Sequence, residues 1–318
     1  MPDLHGLIAY GSIFLVMALI NGIACLGLNL QWGQTGLFNV GVAGFVSIGA
    51  YTSALVTTAA ADGRFGGFGA PIAVGWCAAM LVAAVASAGL GALTLRLRSD
   101  YLAITTFGFA VVVELVARNA ASLTGGTLGI SFIPRPFAAF ADRPALFGVL
   151  LLLLTAVIVT LVYLGLERLV RSPWGRVLRA IREDERAAAS LGKSPSRYRL
   201  QAFMIGGALM GLAGAIEAHV IGFISPENFQ SNLTFQVWAM LILGGSGNNL
   251  GALAGALVVS TIWSASGLAT GMFFPPEEQA RASALRIVAI GALLSATILW
   301  RPRGFIGERA TVSRHLRD

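Results

Sequence analysis

The sequence predicts an all-α protein, a polytopic transmembrane helical bundle of about 9 spans, within a range of about 8–10. Of its 318 residues, 56% are hydrophobic and only 12% are charged, about half the charged share of a typical soluble domain. Uncharged stretches at 35–61, 70–95 and 145–166 also match or exceed the roughly 20 apolar residues that cross a bilayer. A protein surface that faces water needs more charged residues than this. We therefore expect much of the surface of this chain to face the hydrocarbon of a membrane.

Apolar runs between charged or Gly- and Pro-rich segments set the expected spans. They lie at 6–28, 35–61, 70–95, 102–119, 145–166, 200–222, 232–246, 249–271 and 282–300. The whole chain, 1–318, is expected to form a single transmembrane domain. Cys25 and Cys77 fall within apolar runs and are expected to pack as small hydrophobic residues. We therefore expect no disulfide, metal site or cofactor.

The distribution of positive charge predicts the orientation in the membrane. Nine of the 22 Lys and Arg residues lie between 168 and 199, and five more between 301 and 317. Short segments rich in Lys and Arg remain in the cytoplasm. We therefore expect the loop 167–199 and the basic tail 301–318 to be cytoplasmic, as well as 96–101. Counting the membrane crossings back from this loop places the N-terminus outside. Because the positive charge is accounted for by orientation in the membrane, we do not expect nucleic-acid binding.

Glycine-rich segments interrupt the second and seventh expected spans. Glycine weakens a helix by about 1 kcal/mol relative to alanine, and irregular backbone persists at membrane depth only where it is buried or lines a cavity. One interpretation is close packing of helices through small residues, with a tight turn near 245. The other is a pair of broken helices that line a translocation pathway. The candidate pathway residues are Gln34, Gly36, Asn39, Gly41, Gly44, Ser47, Gly245, Ser246 and Asn248.

Few ionisable residues fall within the expected spans. Glu114 and Arg118 are four residues apart and are expected to pair on one helix face. Glu217 and His219 lie near the outer end of the sixth span. Because all four sit near helix ends, we expect solvation at the membrane interface to accommodate them.

The loop 167–199 predicts an amphipathic helix that lies along the cytoplasmic surface of the membrane. Ser172 is a suitable N-cap with Pro173 at the first helical position, and Gly192 suits a left-handed helix stop. Such a helix could bind lipid through its arginines. However, Glu183, Asp184 and Glu185 would be repelled by anionic lipid, so a protein partner with a groove is the favoured interpretation.

These segments resemble the permeases of branched-chain amino acid ABC importers of the LivM type. The resemblance rests on blocks that occur in the family's order along most of the chain: Gly33 to Tyr51, Asp100 to Thr106, Leu123 to Thr127, Arg171 to Arg176, Ala180 to Glu185, Ile224 to Glu227 and Leu243 to Gly247. It implies an inner-membrane importer made of two homologous permeases, two ATPase subunits and a soluble substrate-binding protein. The residues that the resemblance places at the ATPase are Trp174, Arg176, Ile181, Glu183, Asp184, Glu185, Ala188 and Gly192.

The resemblance implies a transport subunit for branched-chain or related amino acids rather than an enzyme. The sequence lacks the Gly-x-x-x-x-Gly-Lys-Ser/Thr phosphate loop, so ATP would be hydrolysed by the partner subunits. Relatives usually carry Ser-Leu-Gly-His where this chain has Phe38-Asn39-Val40-Gly41, which leaves urea or short amides as an alternative cargo. An ion-coupled secondary transporter is less favoured because no chain of buried acids is visible. An intramembrane enzyme would need paired catalytic groups at depth, and only Glu217 with His219 comes near.

Overall fold

The computed structural model shows a bundle of α-helices. It describes residues 4–60, 63, 65–273, 278, 281, 285, 288, 291–292, 295, 299 and 304–308. Within these residues the helices are α1 (Leu4–Gln31), α2 (Val42–Thr57), α3 (Ile72–Thr94), α4 (Ser99–Asn119), α5 (Ala121–Thr124), α6 (Pro144–Arg171), α7 (Pro173–Glu183), α8 (Glu185–Ser190), α9 (Pro195–Ile221), α10 (Ser231–Gly244) and α11 (Asn249–Phe273).

The remaining regular structure is short. Three 3₁₀ turns cover Gly126–Leu128, Ala138–Phe140 and Pro226–Phe229. Two strands of two residues, β1 (Ile130–Ser131) and β2 (Phe223–Ile224), pair antiparallel with Ile130 opposite Ile224. The predicted all-α class is therefore confirmed.

The predicted spans coincide with helices over the described part of the chain. There, α1, α3, α4, α6, α9 and α11 are long and apolar enough to cross a membrane. The second and seventh spans are represented by the shorter apolar helices α2 and α10, of 16 and 14 residues. The ninth expected span and the basic tail lie mostly outside the described residues.

Helices α1 and α9 form the centre of the bundle. In their most apolar windows, 67% of α1 and 72% of α9 is buried, against 22–28% for α3, α4 and α6. Helix α9 packs against α1, α2 and α3, and glycines make the close approach possible. A Cβ atom at Gly49 of α2 would lie 2.0 Å from the carbonyl oxygen of Gly211 in α9. Small residues therefore set the helix spacing in the core, as the packing interpretation of the glycines requires.

One end of the bundle, which we call the basic end, brings together 29–36, 171–199, 245–249 and 304–308. Hydrogen bonds connect these segments: the Arg182 side chain donates to the Gly33 carbonyl, and the Phe305 amide donates to the Leu243 carbonyl over 2.9 Å. The start of α9 also lies at the basic end, next to the end of α3. A Cβ atom at Gly91 of α3 would lie 2.8 Å from the Leu200 side chain of α9.

The opposite end, which we call the loop end, contains residues 58–60 and 65–70 and the connections 120–143 and 222–230. The Phe65 amide donates to the Ser122 carbonyl over 2.7 Å, and β1 pairs with β2. The structure thus groups the loops as the predicted topology requires. Which end faces the cytoplasm stays a prediction.

The ionisable groups of the spans behave differently from one another. Glu114 and Arg118 form the expected pair at 3.0 Å. His219, however, is fully buried, so the expected interfacial solvation is wrong for this residue. Its Nε2 lies 2.8 Å from the Ser53 hydroxyl and its Nδ1 lies 2.6 Å from the Pro134 carbonyl oxygen. A carbonyl only accepts, so Nδ1 carries a proton, and in the neutral imidazole the Ser53 hydroxyl donates to Nε2.

We predict that Gly49→Ala lowers the free energy of unfolding by about 1–3 kcal/mol, because the added methyl group overpacks the α2–α9 contact. Thermal unfolding of the purified protein in detergent measures this change. Gly89→Ala is the matched control, since a Cβ there meets nothing within 4 Å. An equal response of the two variants would contradict the packing argument.

Candidate functional site

The chain between α1 and α2 leaves the helical conformation inside the bundle. Gly36 has a φ of 71°, and residues 36–41 are not helical. The buried Asn39 side chain stabilises this turn, since its Oδ1 accepts from the Gly41 amide over 2.7 Å and its Nδ2 donates to Gln31 Oε1 over 2.7 Å. Gln31 in turn donates to the Phe203 carbonyl of α9 over 2.9 Å. We call 36–41 the unwound segment.

Neighbouring helices satisfy the polar backbone of the unwound segment and of the start of α2. The Trp238 indole of α10 donates to the Asn39 carbonyl over 2.9 Å. The Thr106 hydroxyl oxygen of α4 accepts from the Val40 amide over 2.9 Å, and that of Thr234 accepts from the Ala43 amide over 3.0 Å. Because unpaired buried backbone groups are costly, these side chains allow an irregular segment to persist inside the bundle.

The second glycine-rich break is a tight turn between α10 and α11. Gly245 and Gly247 have positive φ values of 111° and 85°. Asn248 Oδ1 accepts from the Leu250 amide over 3.0 Å and thereby caps the start of α11. Residues 304–308 pack on this turn, and the Ile306 amide donates to the Gly244 carbonyl over 2.9 Å. The geometry of this second break therefore agrees with its interpretation as a tight turn.

The two breaks contact each other directly. Asn29 at the end of α1 accepts from the Gly247 amide over 2.8 Å and donates to Asn249 Oδ1 over 2.9 Å. Gln34 Nε2 donates to the Gly247 carbonyl over 2.8 Å. The α10–α11 turn is therefore fixed to the chain that leads into the unwound segment.

The predicted amphipathic helix is in fact two helices, α7 and α8, that meet at Asp184. The Asp184 carboxylate caps α8 by accepting from the Arg186 amide over 2.9 Å and the Ala187 amide over 3.0 Å. Ser172 precedes α7 as predicted, but its hydroxyl donates to the Leu169 carbonyl over 2.7 Å and does not cap the helix. Gly192 ends α8 with a φ of 75°, as the predicted stop requires.

The three consecutive acids of this loop each have a partner within the chain. Asp184 is the cap, Glu183 pairs with Arg182 at 2.8 Å, and Glu185 pairs with Arg199 at 2.8 Å. The acidic run was interpreted as evidence for a protein partner. The structure gives each carboxylate a local role, so this argument for a partner does not hold.

The residues expected to contact an ATPase divide into two sets. Ile181 and Ala188 are buried, with 1% and 4% of their surface exposed, and the Trp174 indole donates to Gln201 over 2.7 Å. These residues fix α7 and α8 to the bundle. The exposed surface of the two helices includes Leu191, which is 79% exposed. Leu191 was not among the predicted residues; the predicted residues that are exposed on this surface are Arg176, Glu183, Asp184, Glu185 and Gly192.

Arg182 connects α7 to both breaks. Its guanidinium donates to the Gly33 carbonyl and pairs with Glu308 at 3.0 Å, beside the Glu183 contact. Burial lowers the pKa of Arg182, but hydrogen bonds and charge from Glu183 and Glu308 raise the pKa above its ordinary value. Arg179 adds a second link, because it donates to Gln34 Oε1 over 3.3 Å. Sequence reasoning missed Arg182, Arg179 and Glu308.

The candidate pathway residues are mostly enclosed within this single chain. Gln34, Asn39 and Ser47 are at most 1% exposed. Gly41 and Gly44 are buried, and a Cβ at Gly44 would meet Ala110 at 2.9 Å. The remaining members of the set are more exposed or lie in the turn: Gly36, Gly245, Ser246 and Asn248. Their role in a pathway stays a prediction.

The fold is that of a multi-pass α-helical membrane protein. Residues 11–298 match the family model described as branched-chain amino acid transport system, permease component. The chain belongs to this family.

Similar proteins agree with this assignment. The permease protein LivM of the high-affinity branched-chain amino acid transport system of Salmonella typhimurium is 35% identical, over 94% of this chain and 71% of the relative. LivM of Escherichia coli is 36% identical, over 91% and 68%. LivH of Salmonella typhimurium, a permease of the same kind of system, is 22% identical over 93% and 96%. No solved structure matches the chain.

We predict that Asn29→Leu lowers the free energy of unfolding by about 2–3 kcal/mol, because the Gly247 amide and Asn249 Oδ1 both lose their hydrogen bonds to Asn29. Asn21→Leu is the matched control on the same helix, since the Asn21 side chain forms no hydrogen bond with a described residue. Thermal unfolding in detergent measures both changes. If Asn21→Leu proved as destabilising as Asn29→Leu, the contact between the two breaks would not be what stabilises this end.

Proposed function

We propose that this chain is the LivM-type permease subunit of a bacterial ABC importer that moves branched-chain amino acids across the inner membrane. The family assignment and the names of the LivM relatives support this cargo. The nine basic residues between 168 and 199 support a cytoplasmic basic end, with the N-terminus outside. The permease itself performs no chemistry, and ATP is hydrolysed by partner subunits.

The contact that carries the proposal is the one between Arg182 and the chain before the unwound segment. An ATPase that closes on ATP would displace α7 and α8. Because Arg182 contacts the Gly33 carbonyl, Glu183 and Glu308, that displacement would reach the unwound segment and the α10–α11 turn together. Coupling of this kind needs a continuous set of contacts with two arrangements, and this set begins at the exposed surface of α7 and α8.

The proposed partners follow from the family. Two ATPases bind the exposed surface of α7 and α8, and a soluble periplasmic protein delivers the substrate. The similarity to LivH as well as LivM supports pairing with a homologous second permease rather than with a second copy of this chain.

This chain has Phe38-Asn39-Val40-Gly41 where relatives usually carry Ser-Leu-Gly-His, and this difference does not favour another cargo. The Asn39 carboxamide is occupied by hydrogen bonds to Gly41 and Gln31. Phe38 packs against Trp32 and Trp238, with ring centroids 5.2 and 4.7 Å away. Both residues therefore have structural roles in this chain, so they supply no argument for urea or short amides.

We predict that Arg182→Gln reduces leucine uptake per ATP hydrolysed by about tenfold or more, because the charge-assisted contacts to Gly33 and Glu308 are lost. The complete importer in proteoliposomes allows uptake and ATP hydrolysis to be measured together. Arg197→Gln is the control, since Arg197 is exposed at the same end and forms no ion pair with a described residue. Unchanged coupling in Arg182→Gln would remove the main support for this transmission route.

We also predict that Leu191→Asp weakens binding of the ATPases by about tenfold to a hundredfold, because a buried leucine contributes about 1.5–3 kcal/mol to an interface. Leu191→Met keeps the apolar surface and should bind normally. Titration of the purified permease with the ATPase subunits measures the affinity, and normal thermal unfolding confirms that the variant is folded. Equal affinity of the Asp and Met variants would place the docking surface elsewhere.

A further inference from the structure

A cavity of about 480 Å³ opens at the loop end, beside the N-terminus of α10. Polar side chains from four elements line it, and the members used here are Asn21, Glu217, Glu227, Gln230, Asn232 and Gln236. A second cavity of about 560 Å³ shares Asn21 and Gln236 with it and extends along α1 and α11. The two cavities are therefore adjacent, and together we call them the α10 cavity.

Four polar side chains of the α10 cavity have no hydrogen-bond or ion-pair partner in the described part of the chain. Asn21, Asn232 and Gln236 form no side-chain hydrogen bond there, and Glu217 forms neither a hydrogen bond nor an ion pair. At the basic end, by contrast, Asn29, Gln34 and Asn39 are all bonded within the chain. Unpaired polar and ionisable groups within membrane spans are costly and face water or a solute. The α10 cavity therefore has polar groups available for a ligand.

The α10 cavity combines groups for both charges of an amino acid. Glu217 supplies a carboxylate from α9, and Glu227 supplies a second one near the opening. Helix α10 begins beside the cavity without a side-chain cap. Of its first-turn amides, that of Leu233 donates to the Gln230 carbonyl over 3.0 Å, and the positive end of the helix dipole lies at this end. Helix N-termini of this kind bind anionic substrate groups in other transporters.

The second part of the cavity suits an aliphatic side chain. Its lining includes Ile13, Phe14 and Met17 of α1. Apolar walls with a few convergent polar groups are the usual composition of a small-molecule site. The chemistry of the two parts therefore suits a zwitterion with a branched aliphatic side chain.

We propose that the α10 cavity is the outer part of the translocation pathway, where Glu217 binds the substrate ammonium group and the first turn of α10 binds its carboxylate. The inference rests on the proposed function and adds the groups that contact the substrate. It places the outer pathway along α1, α10 and α11, away from the glycine-rich segment 33–50 in which the sequence placed it.

The first test is leucine uptake by the complete importer in proteoliposomes with Glu217→Gln, which keeps the shape of the side chain and removes its charge. We expect uptake about tenfold slower or more. Glu114→Gln is the matched control, because Glu114 is also a span carboxylate at the loop end but pairs with Arg118. Uptake by Glu217→Gln at the wild-type rate would overturn the inference.

The second test measures charge in the cavity and does not depend on transport. In a Cys77→Ser background, in which the other cysteine, Cys25, is buried, Gln236→Cys is labelled from outside with cationic and anionic methanethiosulfonates. We expect the cationic reagent to react faster, and Glu217→Gln to lower the ratio of rates by about threefold or more. Absence of labelling, or an unchanged ratio, would overturn the inference even if uptake fell.

The two tests separate the inference from the function on which it rests. If the wild-type importer takes up no leucine, the proposed function fails, whatever the labelling shows. If the wild type imports leucine and Glu217→Gln changes neither uptake nor labelling, the function stands and the assignment of the cavity fails.

Discussion

A buried segment of non-helical backbone has to be hydrogen-bonded, and this requirement governs the structure around residues 36–41. In a bilayer no water is available to replace the helical hydrogen bonds that this segment gives up. The Asn39 side chain supplies one replacement from within the segment, and Trp238 of α10 and Thr106 of α4 supply two more. The unwound segment is therefore stabilised by its neighbours, and its conformation depends on where those neighbours lie.

The same dependence makes the unwound segment suitable for transmitting motion. A continuous helix satisfies its own backbone and can shift as a rigid rod. A segment bonded to α1, α4 and α10 responds when any of these moves, and Gln34 and Asn29 extend the set to the α10–α11 turn. Arg182 then joins this set to the exposed pair α7 and α8. The hydrogen bonds that stabilise the backbone of the unwound segment are therefore the same ones that would transmit motion from α7 and α8.

Features that depend on local composition could be predicted from the sequence. Contacts between residues far apart in the chain could not. Charge-free runs located the spans, and the positions of Gly192 and Pro173 located the ends of α7 and α8. The acidic run 183–185 was misinterpreted because its partners, Arg199 among them, are set by tertiary packing. The contact between the two breaks, such as Asn29 with Asn249, joins residues 220 positions apart, and no local pattern encodes it. Two amides near the end of an apolar span, Asn29 and Gln31, were the available signal.

Residue type alone cannot separate structural from ligand-binding polar groups in a membrane protein. Asn39 and Asn21 are the same residue in equally apolar surroundings, and glycine-rich context favoured Asn39 as the pathway residue. In the structure the Asn39 carboxamide is occupied on both its oxygen and its nitrogen, whereas Asn21 lines an open cavity. A polar group whose bonding capacity is filled within the chain has little left for a solute. The pathway is therefore better sought where polar groups lack partners than where the backbone is most irregular.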